Sequence, residues 1–317
     1  MGWRFAWCVA VGALALLIVR VVWHDGTWAL LLVNSYRPLT FGVAVPVAAV
    51  AIIRRRHRLA AAAAVPAGWA LLTLTALIPG TPTAEAPTFR LVTANLLMVH
   101  DDPSSLLDEI ETFDADVLVF QEVSGRWADE FAARGYSDRY PTAFVHAQED
   151  SFGSALFSRF AFEDLDFLEV DGLVWPRAVL RVGEHRVEVL NVHTLPPRTA
   201  NYAERHRAEL DELATWSERD GAVILAGDFN STGWSRFAAD VAGRYDDAWE
   251  VAGSGWGNTW PNGLFSLPPA RLDHVYVTEA VTVHAAQLGR GEGSDHRPLI
   301  VDLAFRATSE ASRRRTP

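Results

Sequence analysis

Polar side chains that bind cations and transfer protons follow several short apolar segments of this 317-residue chain. They occur in six places, at Asn95, Gln121-Glu122, Asn191-Val192-His193, Gly227-Asp228-Phe229-Asn230, Leu272-Asp273-His274 and Ser294-Asp295-His296-Arg297-Pro298. Loops at the strand ends of α/β folds converge over a rigid sheet, so we expect these side chains to meet in one site. Carboxylates, amides and imidazoles without a nucleophilic cysteine favour an oxygen-rich site for a hard cation, with room left for a phosphate.

Each of these residues also has a structural explanation when it is taken alone. An Asp or Asn at a strand end, such as Asp228 or Asn230, commonly caps a turn. A lone histidine such as His193 is more often a satisfied core or surface residue. Glu122 fits this explanation poorly, because a carboxylate behind the apolar segment 117–120 needs a partner or a cation. The six places together therefore predict a site that no single one predicts.

The elements that must position these residues are short strands with a few helices among them. Apolar segments predict strands at 89–95, 117–121, 153–158, 178–182, 187–192, 222–226, 272–278, 281–287 and 298–305. Helical periodicity is found at 103–113, 126–134 and 202–219. This pattern favours an α/β domain in which two sheets pack together and helices cover their outer faces.

The first 79 residues have a different character, with three apolar runs at 5–23, 39–53 and 59–79. A bilayer core requires about 20 apolar residues, and soluble proteins rarely stack three such runs as buried helices. We therefore expect a transmembrane anchor of about three helices over 1–79, a linker over 80–88, a catalytic domain over 89–305 and a flexible tail over 306–317. Polar residues at 34–38 interrupt the middle run and leave the number of spans open.

Arginines predict the orientation of this anchor. The cluster Arg54-Arg55-Arg56-His57-Arg58 lies between the second and third runs, and such clusters remain cytoplasmic. With three spans, the chain is then a multi-pass protein of the cell membrane whose catalytic domain lies on the extracytoplasmic side.

The charge of the remaining chain excludes some functions. Seven arginines and one acidic residue precede Glu85, which leaves 21 arginines and 38 acidic residues, and there is no lysine. A domain with this net negative charge repels a polyanion, except where a local site has a positive potential. Sequence-independent binding of DNA through a basic surface is therefore disfavoured. A disulfide scaffold is excluded, because Cys8 is the only cysteine.

In this order, the six motifs resemble those of the endonuclease/exonuclease/phosphatase superfamily. Its members include pancreatic deoxyribonuclease, abasic-site endonucleases, neutral sphingomyelinases and inositol polyphosphate 5-phosphatases. The segment Gly153-Ser154-Ala155-Leu156-Phe157-Ser158-Arg159 also matches one that the family usually carries. The resemblance spans about residues 89–305, and it implies a four-layer α/β/β/α sandwich behind the helical anchor.

The resemblance also implies a role for each motif residue. Glu122 is the main ligand of Mg²⁺ or Mn²⁺, and Asn95 and Asp295 assist it directly or through water. Asp228 orients or deprotonates the attacking water, and Asn230 donates its amide to the phosphate.

The remaining roles concern proton transfer and substrate contact. His193 is the general acid or a transition-state donor, and His296 contacts the phosphate or shares the base role while Asp273 orients its ring. Arg177 is a candidate phosphate clamp, with a surface salt bridge as the alternative. Thr259-Trp260-Pro261 and the apolar loop 264–267 form a candidate substrate-side wall, with a loop that caps the core as the alternative.

We therefore expect a membrane-tethered, Mg²⁺-dependent phosphoesterase that hydrolyses a phosphodiester. The substrate is a nucleic acid or a phospholipid head group, membrane lipid surrounds the N-terminal helices, and no protein partner is predicted. The alternative is a catalytically inactive, membrane-tethered binding protein of the same fold. A transporter is disfavoured, because Arg20 is the only candidate buried ionisable residue in the predicted spans.

Overall fold

A computed structural model describes residues 2–78, 80, 88–100, 102–263 and 269–306. Its helices are α1 (Gly2–Trp23), α2 (Trp28–Ser35), α3 (Arg37–Gly42), α4 (Ala44–Ile53), α5 (His57–Leu72), α6 (Pro103–Thr112), α7 (Gly125–Ala133), α8 (Tyr136–Arg139), α9 (Ala200–Trp216), α10 (Arg236–Val241) and α11 (Ala248–Ala252). A 3₁₀ helix (Thr73–Leu77) continues α5. Most of the predicted linker and tail, and the loop 264–267, lie outside the described residues.

The strands found among the described residues form two sheets of six. They are β1 (Phe89–Asn95), β2 (Val117–Gln121), β3 (Thr142–His146), β4 (Ser154–Ser158), β5 (Ala161–Val170), β6 (Leu173–Val182), β7 (His185–His193), β8 (Val223–Asp228), β9 (Tyr245–Asp247), β10 (Asp273–Thr278), β11 (Val281–Leu288) and β12 (Leu299–Phe305). The first sheet has the order β11-β12-β1-β2-β4-β3, and the second has the order β5-β6-β7-β8-β10-β9.

The two sheets pack face to face, and helices cover their outer faces. Successive side chains of β2 point to opposite faces and show this layering. Val117 and Val119 lie in the core between the sheets, while Leu118 and Phe120 pack against α6 and α7. On the second sheet, outward residues of β7 and β8 pack against Leu213 and other apolar residues of α9. A strand buried on both faces reads as a continuous apolar run. The predicted four-layer α/β/β/α sandwich is thereby confirmed.

The N-terminal helices form a separate layer of apolar elements. Two of them, Gly2–Trp23 and His57–Thr75, are long and apolar enough to cross a membrane, and a third span exists if Trp28–Ser35 and Arg37–Ile53 count as one. That pair bends by 78° at the break, where the polar residues 34–38 interrupt the apolar run. The 22 residues of α1 extend about 33 Å, which matches a bilayer core of about 30 Å.

The sequence prediction missed three strands that all lie at sheet edges. β3 is one edge of the first sheet, and β5 and β9 are the two edges of the second. β5 is exposed along most of its length and carries four acidic residues, so it lacks the apolar pattern that identifies a buried strand. An edge strand with charged side chains resists pairing with other chains.

Gly227 offers a direct test of how closely the central strands pack. Its φ of +146° is unfavourable for other residues, and a Cβ there would lie 1.9 Å from the Val192 carbonyl oxygen of β7. Since backbone cannot move aside cheaply, we expect Gly227→Ala to lower the free energy of unfolding by about 1–3 kcal/mol beyond the cost of the positive φ. Denaturant unfolding of the full chain in detergent measures this.

Gly221 is the matched control, because its φ is +100° but a Cβ there would meet nothing within 4 Å. Gly221→Ala therefore carries the dihedral cost without the clash. Equal losses of stability in the two variants would contradict the close packing of β7 against β8.

Candidate active site

The site lies at one end of both sheets and is centred on Asp228, the last residue of β8. In the second sheet His193 of β7 and Asp273 of β10 are its register partners on the two neighbouring strands. From the first sheet, Asn95 at the end of β1 donates its Nδ2 to Asp228 Oδ2 at 3.1 Å. The strand ends of the two sheets therefore converge on one carboxylate, which is 1% exposed.

Glu122 lies beside this carboxylate on the side of the first sheet. Asn95 Nδ2 also donates to Glu122 Oε1 at 3.2 Å, and the backbone N–H of Met98 donates to Glu122 Oε2 at 3.0 Å. Glu122 has a φ of +59° and Asn230 has a φ of +45°. Non-glycine residues seldom adopt this conformation, and it is concentrated at functional sites.

A histidine–aspartate pair closes the site from the other side. His296 Nδ1 lies 2.8 Å from Asp273 Oδ2, and its Nε2 lies 3.7 Å from Asp228 Oδ2. The hydroxyl of Ser294 accepts from the His296 N–H at 3.0 Å and donates to the Asn95 carbonyl at 2.9 Å. This turn therefore fixes the imidazole between the two carboxylates.

Burial and proximity alter the proton affinities of these groups. Burial raises the pKa of Asp228 to about 6, against the opposing effect of the two nearby imidazoles. Burial lowers the pKa of His296, but the carboxylates of Asp273 and Asp228 outweigh it and raise that pKa to about 10. Burial lowers the pKa of His193. One imidazole thus holds its proton while the other favours the neutral form, a division suited to acid–base chemistry.

His193 and Asn230 complete the polar rim around Asp228. His193 Nε2 lies 3.8 Å from Asp228 Oδ2, and Trp175 Nε1 donates to the His193 carbonyl at 2.9 Å. The Asn230 backbone N–H donates to Asp228 Oδ1 at 2.8 Å, while its amide donates to the Thr194 carbonyl at 2.9 Å. Both side chains lie within reach of a group that approaches Asp228.

Asp295 and Trp260 lie together at the rim, since Trp260 Nε1 donates to Asp295 Oδ2 at 3.1 Å. Arg177 lies elsewhere. It is on the outer face of the second sheet, where its guanidinium bonds to Glu188 and, at 2.9 Å, to Asp164. The clamp interpretation of Arg177 is therefore replaced by its alternative, a salt bridge. Its register partner on β7, Leu190, packs in the apolar cluster between the second sheet and α9. Paired residues point to the same side of a sheet, so Arg177 lies on this outer face.

Two further histidines near the motifs have structural partners. His274 Nδ1 lies 2.8 Å from Asp247 Oδ2, and His100 Nε2 lies 2.8 Å from the Glu292 carbonyl. Thr259, predicted as part of the substrate-side wall, has a hydroxyl that accepts from the Asp273 N–H at 3.2 Å and so positions the start of β10. No pattern in the sequence reveals this contact with Asp273.

The comparison with protein families agrees with this geometry. Residues 92–296, more than half of the chain, match the model described as the Endonuclease/Exonuclease/phosphatase family. The chain belongs to this family. None of the curated proteins compared with the sequence matches it.

Solved structures of similar fold include other endonuclease/exonuclease/phosphatase proteins. One from Beutenbergia cavernae DSM 12333 has 20% identity and a TM-score of 0.53, covering 68% of this chain and 71% of that chain. D. rerio TDP2 complexed with a single-strand DNA product has 15% identity and a TM-score of 0.57, with 68% and 99% covered. The human Nocturnin catalytic domain with a bound sulfate anion has 20% identity and a TM-score of 0.53, with 72% and 98% covered. At these identities the likeness shows the fold alone.

Endonuclease/exonuclease/phosphatase enzymes typically use a divalent metal, and the donors here suit one. Asp273 Oδ1 and Asp295 Oδ1 are buried, and neither has a hydrogen-bond partner among the described residues. Asp228, Asp273 and His296 also form a buried cluster whose donor atoms lie within 4.8 Å of one another. Unpartnered carboxylate oxygens in a buried site fit a hard cation better than a soft one.

Substitution of Asp273 by asparagine tests whether this residue has a chemical role at the site or only a structural one. If it orients His296, Asp273→Asn should leave the domain folded but slow turnover by roughly 10²-fold or more, the scale of general acid–base catalysis. If it only caps the start of β10, asparagine should cost little rate and about 1 kcal/mol of stability or less. Both kcat and thermal stability are measured on the same variant.

The matched control is Asp247, which holds His274 at the same 2.8 Å but lies outside the cluster. Asp247→Asn should lower thermal stability while turnover by the remaining folded enzyme stays near normal. Near-normal turnover in Asp273→Asn would remove Asp273 from the proposed catalytic set.

Proposed function

We propose that this protein is a membrane-tethered phosphoesterase that uses Mg²⁺ or Mn²⁺ to hydrolyse a phosphodiester. The observation that carries this proposal is the convergence of carboxylates, amides and imidazoles from both sheets on Asp228. Membership of the Endonuclease/Exonuclease/phosphatase family supports the reaction class.

Three residues at the first-sheet side of the site hold the cation in this proposal. Glu122 is the main ligand, and Asn95 and Asp295 assist directly or through water. A bound divalent cation polarises phosphoryl oxygens and neutralises charge on the leaving oxygen. Asp295 supports this assignment through its buried, unpartnered Oδ1.

The second-sheet side supplies the proton transfers. Asp228 orients and deprotonates the attacking water, for which a pKa of about 6 is suitable near neutral pH. Asn230 donates its amide to the phosphate. His296, held by Asp273, contributes a charged N–H to the phosphate, and the neutral His193 donates a hydrogen bond to the departing oxygen. Trp260 contacts the substrate at the rim beside Asp295.

The substrate is a nucleic acid or a phospholipid head group, and two observations support a phosphoester of this kind. The structure of D. rerio TDP2 holds a single-strand DNA product, and that of human Nocturnin holds a sulfate anion. The negative charge of the chain, −11 overall, opposes long polyanions. A panel of phosphodiesters and phosphomonoesters offered to the full chain in detergent tests which class is hydrolysed.

The catalytic domain lies on the extracytoplasmic side in this proposal. Arg56 packs over Trp3, 5.0 Å from the ring centroid, so the arginine cluster lies at the end of the bundle where α1 begins. The opposite end contacts the catalytic domain, where Arg207 donates to the Gly26 carbonyl at 2.5 Å. Exposed Trp23 near that end suits a membrane interface. In this proposal the arginine cluster is cytoplasmic, and the domain at the opposite end of the bundle therefore lies outside.

An inactive binding protein of the same fold is the competing proposal. It predicts the same fold and the same location but no turnover with any member of the substrate panel. Each motif position carries a residue capable of its proposed chemistry, which favours the enzyme.

Metal dependence is the first test of the proposed chemistry. Exhaustive chelation with EDTA should abolish hydrolysis, and Mg²⁺ or Mn²⁺ should restore it. Glu122→Gln removes the ligand charge, so the Mg²⁺ concentration for half-maximal activity should rise at least about tenfold, with partial rescue at high Mg²⁺. Glu169→Gln removes the same charge from an exposed edge strand and should leave the Mg²⁺ requirement unchanged. Activity that survives chelation would refute the metal assignment.

Topology is tested on intact cells. Protease added outside should cleave the catalytic domain, and a reporter fused after Pro317 should behave as external, because the arginine cluster stays in the cytoplasm. Permeabilised cells provide the control for protease activity. A domain protected in intact cells and cleaved only after permeabilisation would show that the orientation or the number of spans is wrong.

A further inference from the structure

A cavity of about 400 Å³ lies between the N-terminal helices and the catalytic domain. The start of α3 and the end of α5 line one side, and the segments 232–234, 249–258 (which includes most of α11) and 269–271 line the other. Four tryptophans contribute to its walls: Trp69, Trp234, Trp249 and Trp256. None of the residues proposed to act at the active site lines it.

Unpartnered donors distinguish this cavity from an ordinary packing gap. Arg37 Nε, Trp69 Nε1 and Trp256 Nε1 are buried, and none has a hydrogen-bond partner among the described residues. The hydroxyl of Thr232, which also lines the cavity, is likewise buried and has no hydrogen-bond partner among the described residues. Arginine and indole N–H groups can only donate. Buried donors are nearly always paired in folded proteins, so these four groups indicate a ligand that is rich in acceptors.

Arg37 supplies a positive charge that forms no ion pair with a carboxylate among the described residues. Its Nη2 donates to Asn34 Oδ1 at 3.2 Å and to the Trp234 carbonyl at 3.4 Å, and both acceptors are neutral. Its guanidinium lies over the rings of Trp69 and Trp234, 5.4 and 5.2 Å from their centroids. The nearby Asp25 uses its two oxygens for Asn34 Nδ2 and the Arg236 backbone N–H. An arginine held in this way is prepared for an anion.

The other charged residues at the cavity are paired with each other. Arg271 Nη1 donates to Asp247 Oδ1 at 2.7 Å, and its Nη2 donates to Glu250 Oε1 at 3.2 Å. Glu250, the carboxylate among the lining residues, is therefore offset by Arg271. Among the charged side chains that line the cavity, Arg37 is therefore the one available to pair with an anion that enters it.

The position of the cavity indicates where such an anion comes from. Leu72 and Ile78, both exposed at the end of the α5 segment, lie on its wall. If α5 crosses a membrane as proposed, this end lies at the boundary between hydrocarbon and water. A lipid placed there has its phosphate at the level of Arg37 and its acyl chains beside the exposed apolar side chains.

We propose that this cavity binds a phosphate-ester group at the membrane boundary, with Arg37, Trp69, Trp256 and Thr232 as its donors. The source is a phospholipid head group or a soluble phosphate ester, which present the same oxygens to these donors. This site is separate from the proposed active site, and its test measures binding and does not depend on turnover.

The test is calorimetric titration of the full chain in nonionic detergent with short-chain phosphatidylglycerol. Arg37→Gln removes the charge and the guanidinium donors, so binding should weaken by about tenfold or more. Arg236→Gln is the matched control, because its side chain is exposed near the same boundary, pairs with Asp240 and does not line the cavity. It should bind as the unmodified chain does.

Two further probes and one further variant complete the design. Glycerol phosphate that binds as tightly as phosphatidylglycerol would identify a soluble ester as the source, whereas weak binding would identify the lipid; both results support the site. Trp256→Phe replaces the indole and its N–H donor with a smaller ring that cannot donate, so it should weaken binding several-fold even if Arg37→Gln fails to fold. The proposal is overturned if neither phosphate probe binds, if a phosphate-free galactosyl diacylglycerol binds equally well, or if Trp256→Phe and Arg236→Gln behave alike.

Discussion

The Asp228 carboxylate is buried between the ends of two sheets, and its surroundings must replace the water that it has lost. Asn95 from the first sheet and the Asn230 backbone from the second donate to it at 3.1 and 2.8 Å. The imidazoles of His193 and His296 approach it at 3.8 and 3.7 Å. A buried carboxylate without such neighbours is costly. The relative placement of the two sheets is therefore part of the site and not merely its support.

A second polar layer beneath Asp228 fixes that placement. Gln121 Nε2 of the first sheet donates to Asn191 Oδ1 of the second at 2.8 Å, and Asn191 Nδ2 returns a bond to the Phe120 carbonyl at 2.9 Å. Apolar packing between sheets tolerates small sliding, but these directional bonds do not. Both residues precede motif residues by one or two positions, so the polar layer and the site are built from the same strand ends.

The sequence predicted the buried centre of this protein better than its edges. β2 and β8 are buried at every residue, and their apolar runs identify them and place Glu122 and Asp228 at their ends. β5 is largely exposed and has no such run. Arg177 shows a different limit, because the face that it occupies depends on pairing between β6 and β7, which local sequence does not reveal. Thr259 acts through a backbone contact that only the folded loop creates.

The N-terminal helices meet the α/β/β/α domain through directional bonds, which a flexible tether would not provide. Asn34 donates to the Trp234 carbonyl, and Asp25 Oδ2 accepts from the Arg236 N–H at 2.7 Å. The loop that supplies this acceptor and this donor begins at Asn230, whose backbone N–H donates to Asp228 Oδ1. One loop therefore contacts both the helical bundle and the buried carboxylate. The orientation of the α/β/β/α domain on the bundle and the geometry of its candidate site consequently depend on the same few residues of backbone.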